Sequence, residues 1–381
     1  MLTTHNWIGC DRTPLELGTD ELLKQSRMLS MVSMRNAALL LVAGSTLVVA
    51  GCTDAPSSSD DASTIVRSTT NIAGAGVVGN DRETAGLCPE AAPLDPTGVE
   101  GTIRPVGHAE GISDVPADPM RIVVLDPASL DASCALGLWE RVVGAATVDP
   151  NFRGDGDQEL YLGTGIARIP SVGVVGAPDV DSIASLSPDL IIGADTLGSD
   201  TYDALSDIAP TVFTTSSRGW KDTFLQSAAA LGRGDTGFSE LARFSADAEQ
   251  VGRDTNATQT QASVVRFLPD SIVTDGPDTF ASQVLTEIGV QRPQTQLSES
   301  VTVPSDDVSA AEGDIVYVRF DGDDGETFGR SVMTGTPWED LGSVKDGRVF
   351  TVNDTVWSGS GIVAARAMLA DVTNSLNAYV S

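Results

Sequence analysis

One segment near the middle of the chain limits the folds open to it. From Phe238 to Asp254 the apolar residues Leu241, Phe244, Ala248 and Val251 recur every three or four positions. That spacing predicts one long amphipathic helix with no strand inside it. On either side the pattern changes to short continuous apolar runs. Arg121–Leu125, Arg141–Ala145, Pro188–Gly193 and Thr211–Phe213 precede the helix; Ala262–Leu268, Asp314–Arg319 and Arg348–Val352 follow it. A continuous run, in contrast to an alternating one, predicts a strand buried on both faces. Helical segments at Ser129–Leu138, Asp181–Leu186, Lys221–Leu231 and Gly361–Tyr379 separate these strands. Strands alternating with helices predict parallel α/β packing. The expectation is therefore two α/β lobes joined by a single long interlobe helix.

Ahead of this body stands an apolar run, Ala37–Ala50, with Arg35 before it and Gly51-Cys52 after it. A basic start, an apolar stretch and small residues at the cut site make a secretory signal. A cysteine directly after Ala-Gly makes it a lipoprotein signal, with Cys52 as the lipidated new N-terminus. A membrane-spanning helix needs about twenty apolar residues, and this run is shorter. The protein is expected on the extracytoplasmic face of a membrane, lipid-anchored. Met1–Ser33, with His5, Trp7, Asp11, Glu16, Asp20 and Glu21, is neither basic nor apolar. It reads as sequence upstream of the true start; the alternative is a cytoplasmic tail that leaves the signal uncut. The Ser-, Asp- and Thr-rich Thr53–Thr70 reads as a flexible tether. The expected divisions are 1–33 upstream, 34–52 signal, 53–98 tether and N-terminal extension, 99–219 first lobe, 220–258 interlobe helical region and 259–381 second lobe.

The formal net charge is −30. Such a surface repels phosphate backbones, so no nucleic-acid partner is expected. Of the four cysteines, Cys10 lies upstream and Cys52 takes the lipid. Cys88 and Cys134 are left in an oxidising compartment, where a disulfide is expected; the alternative is two free thiols with Cys134 buried. Beyond Cys52 the only histidine is His108, expected just before the first strand. One histidine cannot build a site for a bare zinc or manganese ion, although haem could bind through a tyrosine. The run Asp321-Gly322-Asp323-Asp324-Gly325-Glu326 lacks the spacing of a calcium loop and reads as a solvated loop or hairpin. No Gly-x-Ser-x-Gly elbow follows a strand, so a hydrolase is not expected, and neither an enzyme nor a resident cofactor is inferred.

Several local motifs occur together in order. They include Arg121–Leu125 with Ala135-Leu136-Gly137-Leu138, Arg141-Val142-Val143-Gly144, Pro178–Ile183, Leu186–Ile192, Ile208–Val212, Trp220-Lys221 and Gly342–Val349. Over about Arg104–Leu376 the chain resembles the class III substrate-binding proteins of ABC importers, which bind ferric siderophores, haem or cobalamin. The resemblance implies a ligand cleft between the lobes, a stiff helical spine and modest closure. It also implies a monomer that passes cargo to a permease without doing chemistry. The cargo expected is a ferric siderophore. Alternatives are a haem binder or haem-relay lipoprotein of the same fold, or a scaffold working without a transporter.

Ligand residues follow from position and from the resemblance. Arg319 ends an apolar strand where siderophore binders of this family often carry an arginine, and Arg offers forked donors to anionic oxygens. Arg266 ends the first strand of the same lobe. Phe280 stands where binders of tris-catecholates often place a further arginine, so a less anionic chelate is expected. Tyr161, with Arg153 nearby, and Trp357, in a glycine-rich loop, are aromatic candidates for either cleft or core. Trp220 and Trp338 read as packing residues. The resemblance further implies permease docking through one acid per lobe, at Asp181 and Asp307, where the family usually has Glu. Both could equally be charges at helix N-termini.

Overall fold

The computed structural model describes residues 67–68, 70–79, 82–84, 86–96, 102–148, 160–163 and 165–380. Cys52, the apolar run before it and Arg153 lie outside these residues. The described chain begins with three short strands, β1 (Arg67–Ser68), β2 (Asn71–Ile72) and β3 (Ala75–Val77). A hairpin follows, β4 (Ile103–His108) with β5 (Gly111–Pro116). The hairpin places His108 at a strand end, where the sequence reading had no strand.

The first sheet contains β6 (Ile122–Val124), β7 (Val142–Thr147), β8 (Ser171–Val174), β9 (Ala177–Pro178), β10 (Leu190–Ala194) and β11 (Thr211–Thr214). Their order is β11-β10-β6-β7-β8-β9. All pair in parallel except β9, which turns back on β8. Ile122, Val123 and Val124 are all fully buried, as a continuous apolar run requires of a strand covered on both faces. The helices of this half are α1 (Pro127–Ala135), α2 (Val180–Ser185), α3 (Ser199–Ser206) and α4 (Trp220–Ala230). Asp126 caps α1 by accepting the Ser129 N–H, and Pro127 occupies the first turn, where a missing N–H costs nothing.

The long helix α5 runs from Gly234 to Asp254 and buries Leu241, Phe244 and Ala248. It packs on α4 on one side and on α6 (Phe280–Ile288) and α11 (Ile362–Ser375) on the other. It begins four residues before its apolar periodicity does. The reason is non-local: the Asp95 carboxylate, from the N-terminal extension, accepts the Gly234 N–H at 2.6 Å and the Asp235 N–H at 3.1 Å, satisfying donors that a helix start leaves open.

The second sheet contains β12 (Ala262–Phe267), β13 (Ile272–Thr274), β14 (Val301–Val303), β15 (Ile315–Phe320) and β16 (Val349–Thr351), in the order β14-β13-β12-β15-β16-β3-β2. One face carries Val264, Tyr317 and Phe350 into the large core shared with α6, α11 and the short α10 (Asp354–Trp357). The other carries Val265, Phe267, Val316, Val318 and Val349 toward α7 (Gly322–Met333), α8 (Thr336–Glu339) and α9 (Gly342–Lys345). Strand β17 (Tyr379–Val380) pairs with β1.

Two readings of the sequence are corrected here. Residues 71–77 were counted with the tether and extension, yet β3 pairs in parallel with β16 and makes the extension part of the second sheet. The acidic run from Asp321 is not a loop; it opens α7, with Asp323 and Asp324 in the first turn, where carboxylates meet the positive end of the helix dipole. Its glycines allow close packing: a Cβ on Gly325 would lie 2.5 Å from the Phe267 carbonyl oxygen, and one on Gly329 would lie 2.5 Å from the Phe320 ring.

The extension then crosses to the first half. Cys88 and Cys134 form the disulfide, fixing it to α1, and the Ala92 N–H donates to the Leu136 carbonyl. Between these anchors Arg82 pairs with Asp371 of α11 at 2.6 Å. Asp371 is 1% exposed and also accepts the Trp357 indole N–H at 2.9 Å. Removing one partner of a buried ion pair leaves the other uncompensated. We therefore expect Arg82→Ala to lose about 3 kcal/mol of stability, read as a lower urea midpoint. An unchanged midpoint would show that Asp371 sheds its charge without help from Arg82.

Candidate functional site

The elements that leave the C-terminal edges of the two sheets touch each other. Helix α1 follows β6, and α11 follows β16 by way of α10; α1 and α11 pack together. Helix α4 follows β11, and its first residue, Trp220, meets Phe280, the first residue of α6, with ring centroids 5.7 Å apart. Lys221 of α4 also pairs with Glu287 of α6. The two C-terminal edges are thus directed at one junction, the place where open parallel sheets bind ligands.

The α1–α11 contact is a buried polar joint. Asp131, on α1, is fully buried. Its carboxylate accepts the Val363 N–H at 2.9 Å and the Ala364 N–H at 3.0 Å. These are open donors at the start of α11, so a side chain of one half caps a helix of the other. Tyr161 donates its hydroxyl to the same carboxylate at 3.2 Å. A Cβ on Gly361 would lie 2.1 Å from the Asp131 Cγ, so glycine is required there for the carboxylate to reach the helix. Burial pushes the Asp131 carboxyl up to about 6, against the pull of the two N–H groups and Tyr161.

The predicted ligand residues separate into two groups. Trp357 and Tyr161 belong to the core. Trp357 is fully buried, its ring tilted against Tyr317 with centroids 4.5 Å apart, and is tied to Asp371, and Tyr161 is bonded to Asp131. Neither forms a cleft wall, because each polar tip is already satisfied by a buried carboxylate. Trp220 and Trp338 are buried packing residues, as read. Phe280 is partly buried at the junction, against Trp220 and the large core.

Arg319 and Arg266 do stand side by side at the C-terminal edge, in register on β15 and β12. Arg319 is 5% exposed. Its Nη2 donates to both oxygens of Asp275 at 2.8 Å, and its Nη1 donates to Asp354 at 3.2 Å and to the Ser358 hydroxyl. Arg266, partly exposed, donates to Asp321 at 2.9 Å and to Asp354 at 2.8 Å. Reading the sequence missed Asp275 and Asp354. They come from separate loops, after β13 and β16, and carry no local signal beyond an acid at a strand end. It also missed Arg218, an exposed residue on the loop after β11 that makes no ion pair among the described residues.

Three cavities bear on where a ligand sits. One of ≈ 530 Å³ lies at the junction, between Arg218–Asp222 and Pro277, Gln283 and Glu287. One of ≈ 270 Å³ lies at the C-terminal edge of β15 and β16, lined by Phe320, Asp354 and, from the extension, Ile72 and Val77. A third, of ≈ 750 Å³, opens at the opposite edge, where Gln261, Asp314 and Arg348 precede their strands. Its size does not make it the ligand site, since it lies at the wrong ends of the strands. The two docking candidates are both exposed. Asp181 lies in the first turn of α2, which Asp179 caps, and Ser309, through its hydroxyl and then its N–H, holds the Asp307 carboxyl below the ordinary range.

Two α/β halves, a long bracing helix and a polar junction between sheet edges are the frame on which a likeness to known proteins can be judged. Residues 122–355 match the periplasmic binding protein family. The chain is 34% identical over 289 residues to a Bacillus subtilis protein named "Probable siderophore-binding lipoprotein YfiY", covering 71% of this chain and 86% of that one. It is 26% identical over 275 residues to the Fe(3+)-citrate-binding protein YfmC of the same organism, covering 71% and 84%. The solved structure of Staphylococcus aureus SirA complexed with staphyloferrin B aligns with a TM-score of 0.62 at 23% identity, over 72% of this chain and 98% of that one; at that identity the likeness is one of fold. The chain belongs to the periplasmic binding protein family, and the resemblance read from its motifs holds.

The Asp131 joint has a pH signature. A carboxyl held near 6 in the folded state keeps a proton that the unfolded chain releases. Its contribution to stability therefore falls as pH rises from about 4 to about 6, and is flat above. Over that window wild type should lose about 3 kcal/mol relative to Asp131→Asn, measured by urea unfolding at each pH. A constant difference would mean that Asp131 titrates at its ordinary value.

Proposed function

We propose that this chain is an extracytoplasmic, lipid-anchored substrate-binding protein that captures a ferric siderophore between its two halves and delivers it to an ABC importer. The observation that carries the reading is the junction itself. Two C-terminal sheet edges face one another, held by α5, the Asp131 joint and the extension, in a family whose relatives are named for siderophore and ferric-citrate binding. A ready-built site suits a bulky, rigid chelate because little ordering is needed on binding. Arg266, Arg218 and Phe280 are the described side chains best placed to meet it, with Arg319 behind Arg266. Arg153 is retained as a further candidate.

Haem is the weaker cargo. It would need a histidine, cysteine, methionine or tyrosine ligand. Tyr161 and Tyr317 are buried and bonded to Asp131 and Ser375, and burial raises the Tyr317 hydroxyl above its ordinary range. His108 is held by Ser113 in the β4–β5 hairpin. Trp220 and Trp357 flank the junction, so ferric siderophores should give saturable quenching of tryptophan fluorescence while haemin gives none. Saturation by haemin alone would reverse the assignment of cargo.

Anchoring and docking are the remaining parts of the proposal. Cys52 takes the lipid, and Asp181 and Asp307 meet basic residues of the permease. Charge reversal at both acids should abolish iron uptake by cells and leave chelate affinity unchanged; a parallel loss of affinity would place them at the ligand instead. Labelled fatty acid should enter wild type and not Cys52→Ala, and equal labelling of the two would remove the anchor.

A further inference from the structure

The arginines at the second sheet's edge are already paired with the protein's own carboxylates. Four of the five N–H donors of Arg319 are directed at Asp275, Asp354 and Ser358. Arg266 is shared between Asp321 and Asp354. Arg319 and Arg266 therefore face three aspartates, Arg292 reaches Asp275 through its carbonyl, and Asp323 and Asp324 in the first turn of α7 leave this edge with a surplus of negative charge. Asp275 is itself 2% exposed. An anionic ligand taking Arg319 would leave that carboxylate buried beside it without its partner, which is strongly unfavourable. Across the junction the cavity is lined by Arg218 and Lys221 but also by Asp222 and Glu287, and Lys221 pairs with Glu287. The first half therefore supplies no cationic surplus either. The formal charge of −30 adds a long-range field of the same sign.

We propose that Asp275, Asp354 and Asp321 set the charge class of the cargo: the site takes an uncharged or cationic ferric chelate of the tris-hydroxamate kind and rejects polyanionic ones. This rests on the ferric-siderophore reading above. The chemistry follows from charge balance at iron. Each hydroxamate brings one negative charge, so three neutralise ferric iron, and any amine on the backbone makes the complex cationic. Each catecholate brings two, leaving a trianionic complex. Coordination by citrate likewise leaves excess negative charge. With Asp275 and Asp354 holding Arg319, the outward-facing groups are the Asp321 carboxylate and the partly exposed Arg266. They suit the amide N–H groups and ammonium of a hydroxamate chelate better than a shell of anionic oxygens.

The test is a set of fluorescence-quenching titrations of the protein with ferrioxamine B (cationic tris-hydroxamate), ferrichrome (uncharged tris-hydroxamate) and ferric enterobactin (trianionic tris-catecholate), at low and high salt. The hydroxamates should bind at least tenfold more tightly than the catecholate. Ferrioxamine B should weaken as salt rises, and ferrichrome should not. Asp354→Asn, which loosens both arginines at once, should narrow the gap by about tenfold by raising affinity for ferric enterobactin. Asp321→Asn, at the more exposed end, should act in the same direction and serves if the first variant fails to fold. Tighter binding of the catecholate by wild type would overturn the proposal, as would an unchanged preference in both folded variants. If none of the three chelates quenches, the ferric-siderophore reading falls, and the charge assignment with it.

Discussion

A carboxylate on one half of this protein ends a helix on the other. Asp131 caps α11 from α1, and much of the architecture depends on that contact. It fixes where α11 begins, and therefore how α10 and the loop before it approach the junction. It demands glycine at position 361 and accounts for Tyr161, which completes the carboxylate's shell from within the core. A hydrogen-bonded joint of this kind has little slack, since both carboxylate oxygens are fixed on buried helix N–H groups that need an acceptor. Together with α5 it makes the junction a fixed frame, so selectivity must come from the side chains that the frame presents.

The same economy governs the buried charges. Asp371 is answered by Arg82 and Trp357, Arg319 by Asp275 and Asp354, and Arg292 by the carbonyls of Ala262 and Asp275 and the side chain of Gln296. Most of the partners in these sets come from distant segments, Arg82 and Asp371 being 289 residues apart. Arginine suits these positions because its planar fork can satisfy several acceptors at once. The strand-end arginines thus close the sheet edge by tying three separate acids to it.

Much of the fold was legible in the sequence because it rests on local signals. Continuous apolar runs such as Ile122–Val124 and Ile315–Val318 are buried strands, and the spacing from Leu241 to Val251 is a helix face. The missed elements share a feature: glycine and proline stand where their strands and helices lie, which blurs the apolar pattern. Pro105, Gly107, Gly111 and Pro116 sit within or at the ends of the β4–β5 hairpin, Gly74 turns the β2–β3 hairpin with φ +89°, and Gly325 and Gly329 let α7 lie against the sheet. The site was legible only in part. Two arginines ending strands could be found; the acids neutralising them could not, because Asp275, Asp321 and Asp354 converge only once three loops are in place. For Trp357 and Tyr161 the sequence left cleft and core equally open, and the choice turned on Asp371 and Asp131, neither of which is a sequence neighbour.

The placement of β3 has a consequence for how the protein comes to exist. Gly76 and Thr351, on neighbouring strands of the second sheet, are 275 residues apart in the chain. A strand made near the beginning has to wait for one made near the end, and neither edge of that pair can close earlier. Such long-range pairing slows folding, and until it forms the outer edge of β16 offers unpaired backbone to any passing strand. The second sheet therefore cannot be completed until the chain has emerged through Thr351, whereas every strand of the first sheet lies within residues 122–214. The topology leaves to the end the pairing that laces β16 back to the early segment.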